Sequence, residues 1–286
     1  DLHISIGDHR DQSMFTQQDF QNSIPNMNQP QVLSGLNQPV HSYRDKLGIP
    51  HIRSLAQSDA FMAQGYVTAQ DRLWQMEFDR RKGSGRWAEV IGSEGVTDDC
   101  LMRKFRLDQS ARSDYLACDR ITRSMLAAYA EGVNAFINSG PLPIEYKITD
   151  LHPEPWKPWD SLIVFKVRHI LMGVFEAKAW RERLLRKIDP DKLANLFPSY
   201  QPGQPVIIPP GHNYTGPLED CLEDLIIGSS HLNYSNEMDA GSNSWVISGT
   251  KTASRKPLLA GDSHRGLDTP NVYYQCHLSC PEFDVI

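Results

Sequence analysis

Apolar and polar positions change period along this chain, and each change marks a different element. Residues 1–37 have no period; Gln, Asn, Ser and Pro are frequent, which predicts a loose polar arm. Short runs over 40–44 and 49–53 flank Asp45 and Gly48 and read as a hairpin. Ser58-Asp59 then reads as a helix N-cap. Ala63, Val67, Trp74 and Phe78, with Met76 beside them, recur at helical spacing. Arg80-Arg81-Lys82 suits the C-terminal end of that helix's dipole, and Gly83 and Gly85 stop it. A second helix over 116–138 carries the stripe Ile121, Met125, Tyr129, Val133 and Phe136 and ends at Gly140-Pro141. After a Pro-rich connector, Asp160 caps a third, longer helix to about residue 188, which Asp189-Pro190 breaks.

From 197 to 241 the period disappears again. Pro198, Pro202, Pro205, Pro209, Pro210 and Pro217 stand among Gly, Ser, Asn and acids, the composition of an exposed linker. Beyond it, 244–248, 257–260 and 272–278 read as short strands. The chain therefore divides into an arm (1–37), a helical region (38–196), a linker (197–241) and a β-rich region (242–286). The first residue is Asp, with no signal-type segment after it, and the last four are Phe283-Asp284-Val285-Ile286, so the sequence reads as a fragment cut at both sides.

Composition narrows the function. A net charge of −6 leaves no basic surplus for phosphates, which argues against nucleic acid as a partner. No run reaches the ~18 apolar residues of a membrane span. Cys100, Cys118, Cys221, Cys276 and Cys280 are odd in number and irregular in spacing, not a disulfide framework. Cys276 and Cys280 flank His277, but zinc needs more ligands at tighter spacing. A cysteine hydrolase built on Cys276 or Cys280 with His277 is a rival reading, against which stands the lack of a basic, helix-start environment that lowers a thiol pKa.

Gly241-Ser242 carries the chemistry of most interest. Glycine lets the backbone take a strained conformation in which the serine hydroxyl reaches its own upstream carbonyl carbon. An N-to-O acyl shift followed by hydrolysis cuts the chain there. The new terminus then holds a hydroxyl nucleophile and an α-amine of reference pKa about 7.7–8.0, a suitable base. An oxyanion hole, worth roughly 3–4 kcal/mol per donor, completes the requirement. Taken alone, Ser242 is one serine among many at a turn entering a strand.

The surrounding residues are more specific. Gly241-Ser242-Asn243-Ser244-Trp245-Val246, Gly249 and Thr252, then Pro257-Leu258-Leu259-Ala260-Gly261-Asp262-Ser263-His264-Arg265 resemble the start of the catalytic chain in the penicillin/cephalosporin amidase family. Upstream, Arg44-Asp45, Gly48-Ile49-Pro50-His51-Ile52, Gln64-Gly65-Tyr66 and Ala69-Gln70-Asp71-Arg72-Leu73-Trp74-Gln75-Met76 resemble that family's smaller chain. So do Gly85-Arg86, Tyr129-Ala130-Glu131-Gly132-Val133-Asn134-Ala135-Phe136 and Pro153-Glu154-Pro155-Trp156. The motifs run in order from about Val40 to the end. Two positions depart from the pattern: Asp262-Ser263-His264 stands where the family usually shows Asp-Pro-His, and Ser254-Arg255 replaces a usual Gly.

The resemblance implies an α+β fold, the four-layer αββα sandwich of N-terminal nucleophile hydrolases, here a partial chain. It implies a hydrolase of linear amide C–N bonds, with Gly241-Ser242 as the processing bond, Ser242 as nucleophile and Asn243 as support for its backbone. His264, 22 residues after the serine, is implied to hydrogen-bond toward it. Met172 and Phe175 on the third helix are implied to line the acyl pocket, with ordinary core packing as the alternative. Glu182 is implied as one ligand of a structural calcium, although calcium wants six to eight oxygens. No cofactor is implied for catalysis. The substrates implied are N-acylated small molecules such as β-lactams, or N-acyl-homoserine lactones, and the alternative is a non-catalytic helical binding module. The resemblance also implies excision of the 197–241 linker, two chains held as a heterodimer, a periplasmic or secreted location, and an oxyanion Asn downstream of residue 286, so that this fragment alone is expected to be inactive.

Overall fold

The computed structural model describes residues 15–171, 181, 183–185, 187–196, 242–264 and 269–286. Its central element is α2 (Gln57–Ser84), on which α6 (Arg120–Ser139) and α8 (Asp160–Leu171) pack. The main core joins Tyr66, Val67 and Leu73 of α2 to Val133 and Phe136 of α6, with Ile52 and Leu278 from the sheet. α2 and α6 cross at unusually short range. A Cβ on Gly65 would stand 2.0 Å from the Tyr129 carbonyl oxygen, and one on Gly132 would stand 1.9 Å from that of Met62. Both glycines lie in segments quoted above for the family resemblance, and side chains at these positions would force the helices apart.

Several expectations are corrected. α2 starts at Gln57 behind Ala56, which makes no side-chain cap. Asp59 instead turns back and accepts from the backbone N–H groups of Asn37 and Gln38 at 3.1 Å each, fastening the end of the arm. The arm itself holds α1 (Gln17–Asn22), whose Thr16 and Asp19 form a reciprocal capping box. The stretch 87–115, to which the apolar pattern assigns no element, contains α3 (Ala88–Ile91), α4 (Val96–Phe105) and the greater part of α5 (Leu107–Ala117). The expected helix over 116–138 is split: α5 ends at Ala117, and the Asp119 carboxylate caps α6 by accepting from Ile121 and Thr122 N–H. Ile121 is accordingly exposed rather than part of the core stripe.

Arg80, Arg81 and Lys82 lie near the C-terminal end of α2, as expected, and all three are buried. Arg80 pairs with Glu77 and, at 3.1 Å, with Asp160 of α8, and its guanidinium lies 5.0 Å from the Trp156 ring centroid. Arg81 reaches Glu77 and Glu89 at 2.5 Å each, and Lys82 reaches Asp98 at 2.7 Å. Buried charge is tolerated because each is paired. Beyond α7 (Ile144–Thr149) and α8, the Asp189-Pro190 pair opens α9 (Pro190–Leu196), with proline at its first position and the Asp189 carboxylate accepting from Asp191 N–H.

Two sheets complete the α+β fold. β1 (His41–Arg44) and β2 (Pro50–Arg53) form the expected hairpin, with Arg44 opposite Pro50. β2 then pairs in parallel with β5 (His277–Cys280), which pairs with β6 (Phe283–Val285), giving the order β1-β2-β5-β6. Only the end of the expected 272–278 strand is strand; residues 273–276 are irregular. The second sheet is the hairpin of β3 (Ser242–Ile247) and β4 (Leu258–Ser263).

Candidate active site

Ser242 is the first residue of β3 and pairs with Ser263, the last of β4; Asn243 pairs with Asp262. The hairpin thus closes the 22-residue separation and brings Ser242 and His264 to the same end of one sheet. Between the strands a tight turn is held by Thr252, whose hydroxyl donates to the Lys256 carbonyl at 2.7 Å, and by the Ser248 hydroxyl, which accepts from Thr250 N–H. Side chains alternate along a strand. Asp262 and His264 therefore share the face opposite Ser263, and His264 Nε2 lies 3.0 Å from Asp262 Oδ2. Gly241, Met172, Phe175 and Glu182 lie outside the described residues.

Every residue of β3 and β4 is exposed. At the turn end both faces are apolar, with Trp245, Val246 and Ile247 opposite Ala260, Leu259 and Leu258. At the Ser242 end both faces are polar. A strand pair apolar on both faces is patterned for a sheet covered on both sides.

The segment after the hairpin is tied closely to the helical region. Arg72 donates to the carbonyl oxygens of Asn271 at 2.6 Å and Tyr273 at 3.2 Å. Arg44 grips Asp71 with both terminal nitrogens, at 2.8 and 3.0 Å, and the Tyr274 hydroxyl donates to the same carboxylate at 2.7 Å. Arg44, Asp71 and Arg72 belong to the motifs quoted above without a role; their role here is to hold a distant segment. That role leaves no local signal, since a charged helix face reads as solvated until its partner is known.

The thiols of Cys276 and Cys280 are poorly suited to nucleophilic work. Burial, augmented by the Asp71 charge, pushes Cys276 up to about 11 against the opposing pull of Arg44, and burial also raises Cys280. His277 is engaged by His51 and Asp284. Among the described residues no group of three or more His, Cys, Asp or Glu side chains is placed to hold a metal ion. A separate cavity of about 370 Å³ lies between α2, α6 and the start of α8, with Phe61, Met76, Met125, Tyr129, Trp156 and Val164 in its wall.

A family model described as penicillin amidase matches residues 39–286. The chain belongs to the penicillin amidase family. Two relatives carry different acylase names. The chain is 38% identical over 275 residues to the "Penicillin acylase 2 proenzyme" of Pseudomonas sp. (strain SE83), covering 93% of this chain and 35% of that protein. It is 31% identical over 272 residues to "Acyl-homoserine lactone acylase QuiP" of Pseudomonas aeruginosa, covering 92% and 32%. Against the solved "Thermostable Penicillin G acylase from Alcaligenes faecalis" the TM-score is 0.48 at 26% identity, over 61% of this chain and 98% of that one. The chain spans about a third of the length of these curated penicillin amidase relatives.

Proposed function

We propose that this chain is part of the precursor of an acylase that cuts itself between Gly241 and Ser242 and then hydrolyses the acyl amide bond of N-acylated small molecules such as β-lactams. The observation that carries the reading is the place of Ser242: first in β3, directly after Gly241, opposite Ser263 and next to the end that bears His264, within a family match that runs through both strands. The relatives named as acylases support it.

In the processing step the Ser242 hydroxyl adds to the Gly241 carbonyl carbon. The peptide C–N bond breaks as the ester forms, and water releases Gly241 as a carboxylate. Ser242 keeps its hydroxyl and gains a free α-amine. In catalysis that amine takes the hydroxyl proton, Oγ attacks the substrate's amide carbonyl, and the proton passes to the departing amine. Water, deprotonated by the same α-amine, then frees the acid. Asn243 supports the backbone of the terminal serine. His264, at the same end of the hairpin but on the face opposite Ser242, turns toward the new terminus once Gly241 has left, and the 197–241 region is the spacer removed between two chains that stay associated.

The same chemistry serves a lactone acylase, and several relatives carry that name at 30–31% identity. The penicillin acylase matches at 38% over 275 residues, against 31% over 272 and 36% over 190 for lactone acylases, which favours β-lactam substrates. Intact-mass analysis of the full-length protein tests the proposal. Wild type is expected to yield a chain beginning at Ser242, and Ser242→Ala to remain uncut. Processing of Ser242→Ala at the wild-type rate sinks the reading. Turnover across acyl amides of increasing chain length then separates the two substrate classes.

A further inference from the structure

At the junction of the upstream and downstream segments, four titratable side chains form a line through the sheet. His51 of β2 and His277 of β5 approach Nδ1 to Nδ1 at 2.9 Å. His277 Nε2 lies 2.8 Å from Asp284 Oδ1 on β6, and His51 Nε2 lies 3.6 Å from Asp45 Oδ2 in the β1–β2 turn. Each carboxylate has its other oxygen occupied: Asp284 Oδ2 accepts from the Ser279 hydroxyl, and Asp45 Oδ1 from the N–H groups of Leu47 and Ile49. Tyr43 of β1 stacks on the His51 ring at 4.8 Å, and Arg53 lies over Tyr43 and is felt by Asp284. α2 packs against Ile52 and Leu278, one residue further along each strand and therefore on the other side of the sheet.

Counting protons assigns the line. An ionised carboxylate only accepts, so His277 presents Nε2–H to Asp284. In the neutral ring its Nδ1 is then an acceptor, and His51 donates through Nδ1–H. His51 Nε2 is left bare, which agrees with its buried, unbonded state 3.6 Å from Asp45. A third proton on the two rings fits there, facing Asp45. A fourth has no place: both Nδ1 atoms would carry hydrogen across 2.9 Å, and two imidazolium rings would face each other. The charge on Asp284 is supported by its lowered pKa, caused first by the His277 hydrogen bond and then by Ser279.

We propose that His51 and His277, between Asp45 and Asp284, are a proton-controlled clasp through which the downstream chain holds the upstream chain, and that acid opens it. The inference rests on the scission proposed at Ser242, because only then do β2 and β5 belong to separate chains. The test uses the full-length protein, with scission established first by mass. Urea-induced separation of the two chains is followed by size exclusion at pH 8, 6.5 and 5, the range in which imidazoles take up protons. Wild type is expected to hold its chains at least about tenfold more weakly at pH 5 than at pH 6.5. Asp45→Asn, which leaves the His–His bond, keeps that acid loss; His277→Asn, or His51→Gln where the first variant does not fold, removes it. An acid loss in His277→Asn or His51→Gln equal to that of wild type, or none in wild type, overturns the clasp. If the chain stays uncut, the scission reading fails separately, and amide exchange of β2 and β5 at the same pH values reads the clasp in the intact chain with the same expected pattern.

Discussion

Alanine in place of Gly132 tests how the two longest helices are held together. Its Cβ would sit 1.9 Å from the Met62 carbonyl oxygen and 2.8 Å from the Tyr66 nitrogen, so α2 and α6 must part by at least about 1 Å. The obstacle is backbone, which cannot rotate aside. A gap of that size forfeits a quarter to a half of each van der Waals well across the seam. The seam is lined by the buried Tyr66, Val67, Val133 and Phe136. Overpacking costs about 1–3 kcal/mol, and a rigid obstacle places this case near 3. Alanine returns about 1 kcal/mol through helix propensity, leaving a net loss of about 2 kcal/mol. Urea denaturation followed by circular dichroism measures it, with Gly261→Ala as the control because nothing lies within 4 Å of a Cβ there. Gly65 makes the reciprocal approach at 2.0 Å, so the double variant should lose less than the sum of the singles, the helices having already parted. Unchanged or raised stability of Gly132→Ala, the usual outcome for glycine to alanine inside a helix, refutes the reasoning.

Two further expectations concern the ion pairs, one buried and one exposed. Arg80→Met leaves Asp160 and one side of Glu77 without a counter-charge in a buried site; a loss of about 3–5 kcal/mol is expected at pH 7. Burial already raises Asp160 despite Arg80, so lowering the pH should neutralise the orphaned carboxylates and recover part of the loss, and a pH-independent deficit in urea denaturation counts against the account. Glu154 is drawn down to about 2, first by its hydrogen bond from Arg86, so its contribution is present above the ordinary carboxylate range and is lost as pH falls toward 2. Glu154→Gln should flatten the stability profile between pH 4.5 and 2, and an acid limb identical to wild type would show that the pair contributes nothing.

What was legible in the sequence was local. The 40–53 hairpin could be read because its turn is made by its own residues, with Asp45 accepting from Leu47 and Ile49. The β3–β4 hairpin and the start of α8 at Asp160 were legible for the same reason, and the ordered motifs placed the chain in one family. The helices of 87–117 were not, because part of what holds them is remote in sequence: the N–H groups of Trp87 and Ala88 at the start of α3 are satisfied by the Asp99 carboxylate.

The sequence by itself determined where helices and strands begin to be favoured, since periods and turn chemistry act over a few residues. Only the tertiary structure decided that Arg80, Arg81 and Lys82 are buried, that Gly65 and Gly132 are crossing points, and that His51 meets His277. Except for Arg81, whose partners Glu77 and Glu89 are near in the chain, each of those depends on a partner from 16 to 226 residues away. A side chain's own neighbours in the chain carry no record of what packing will set against it.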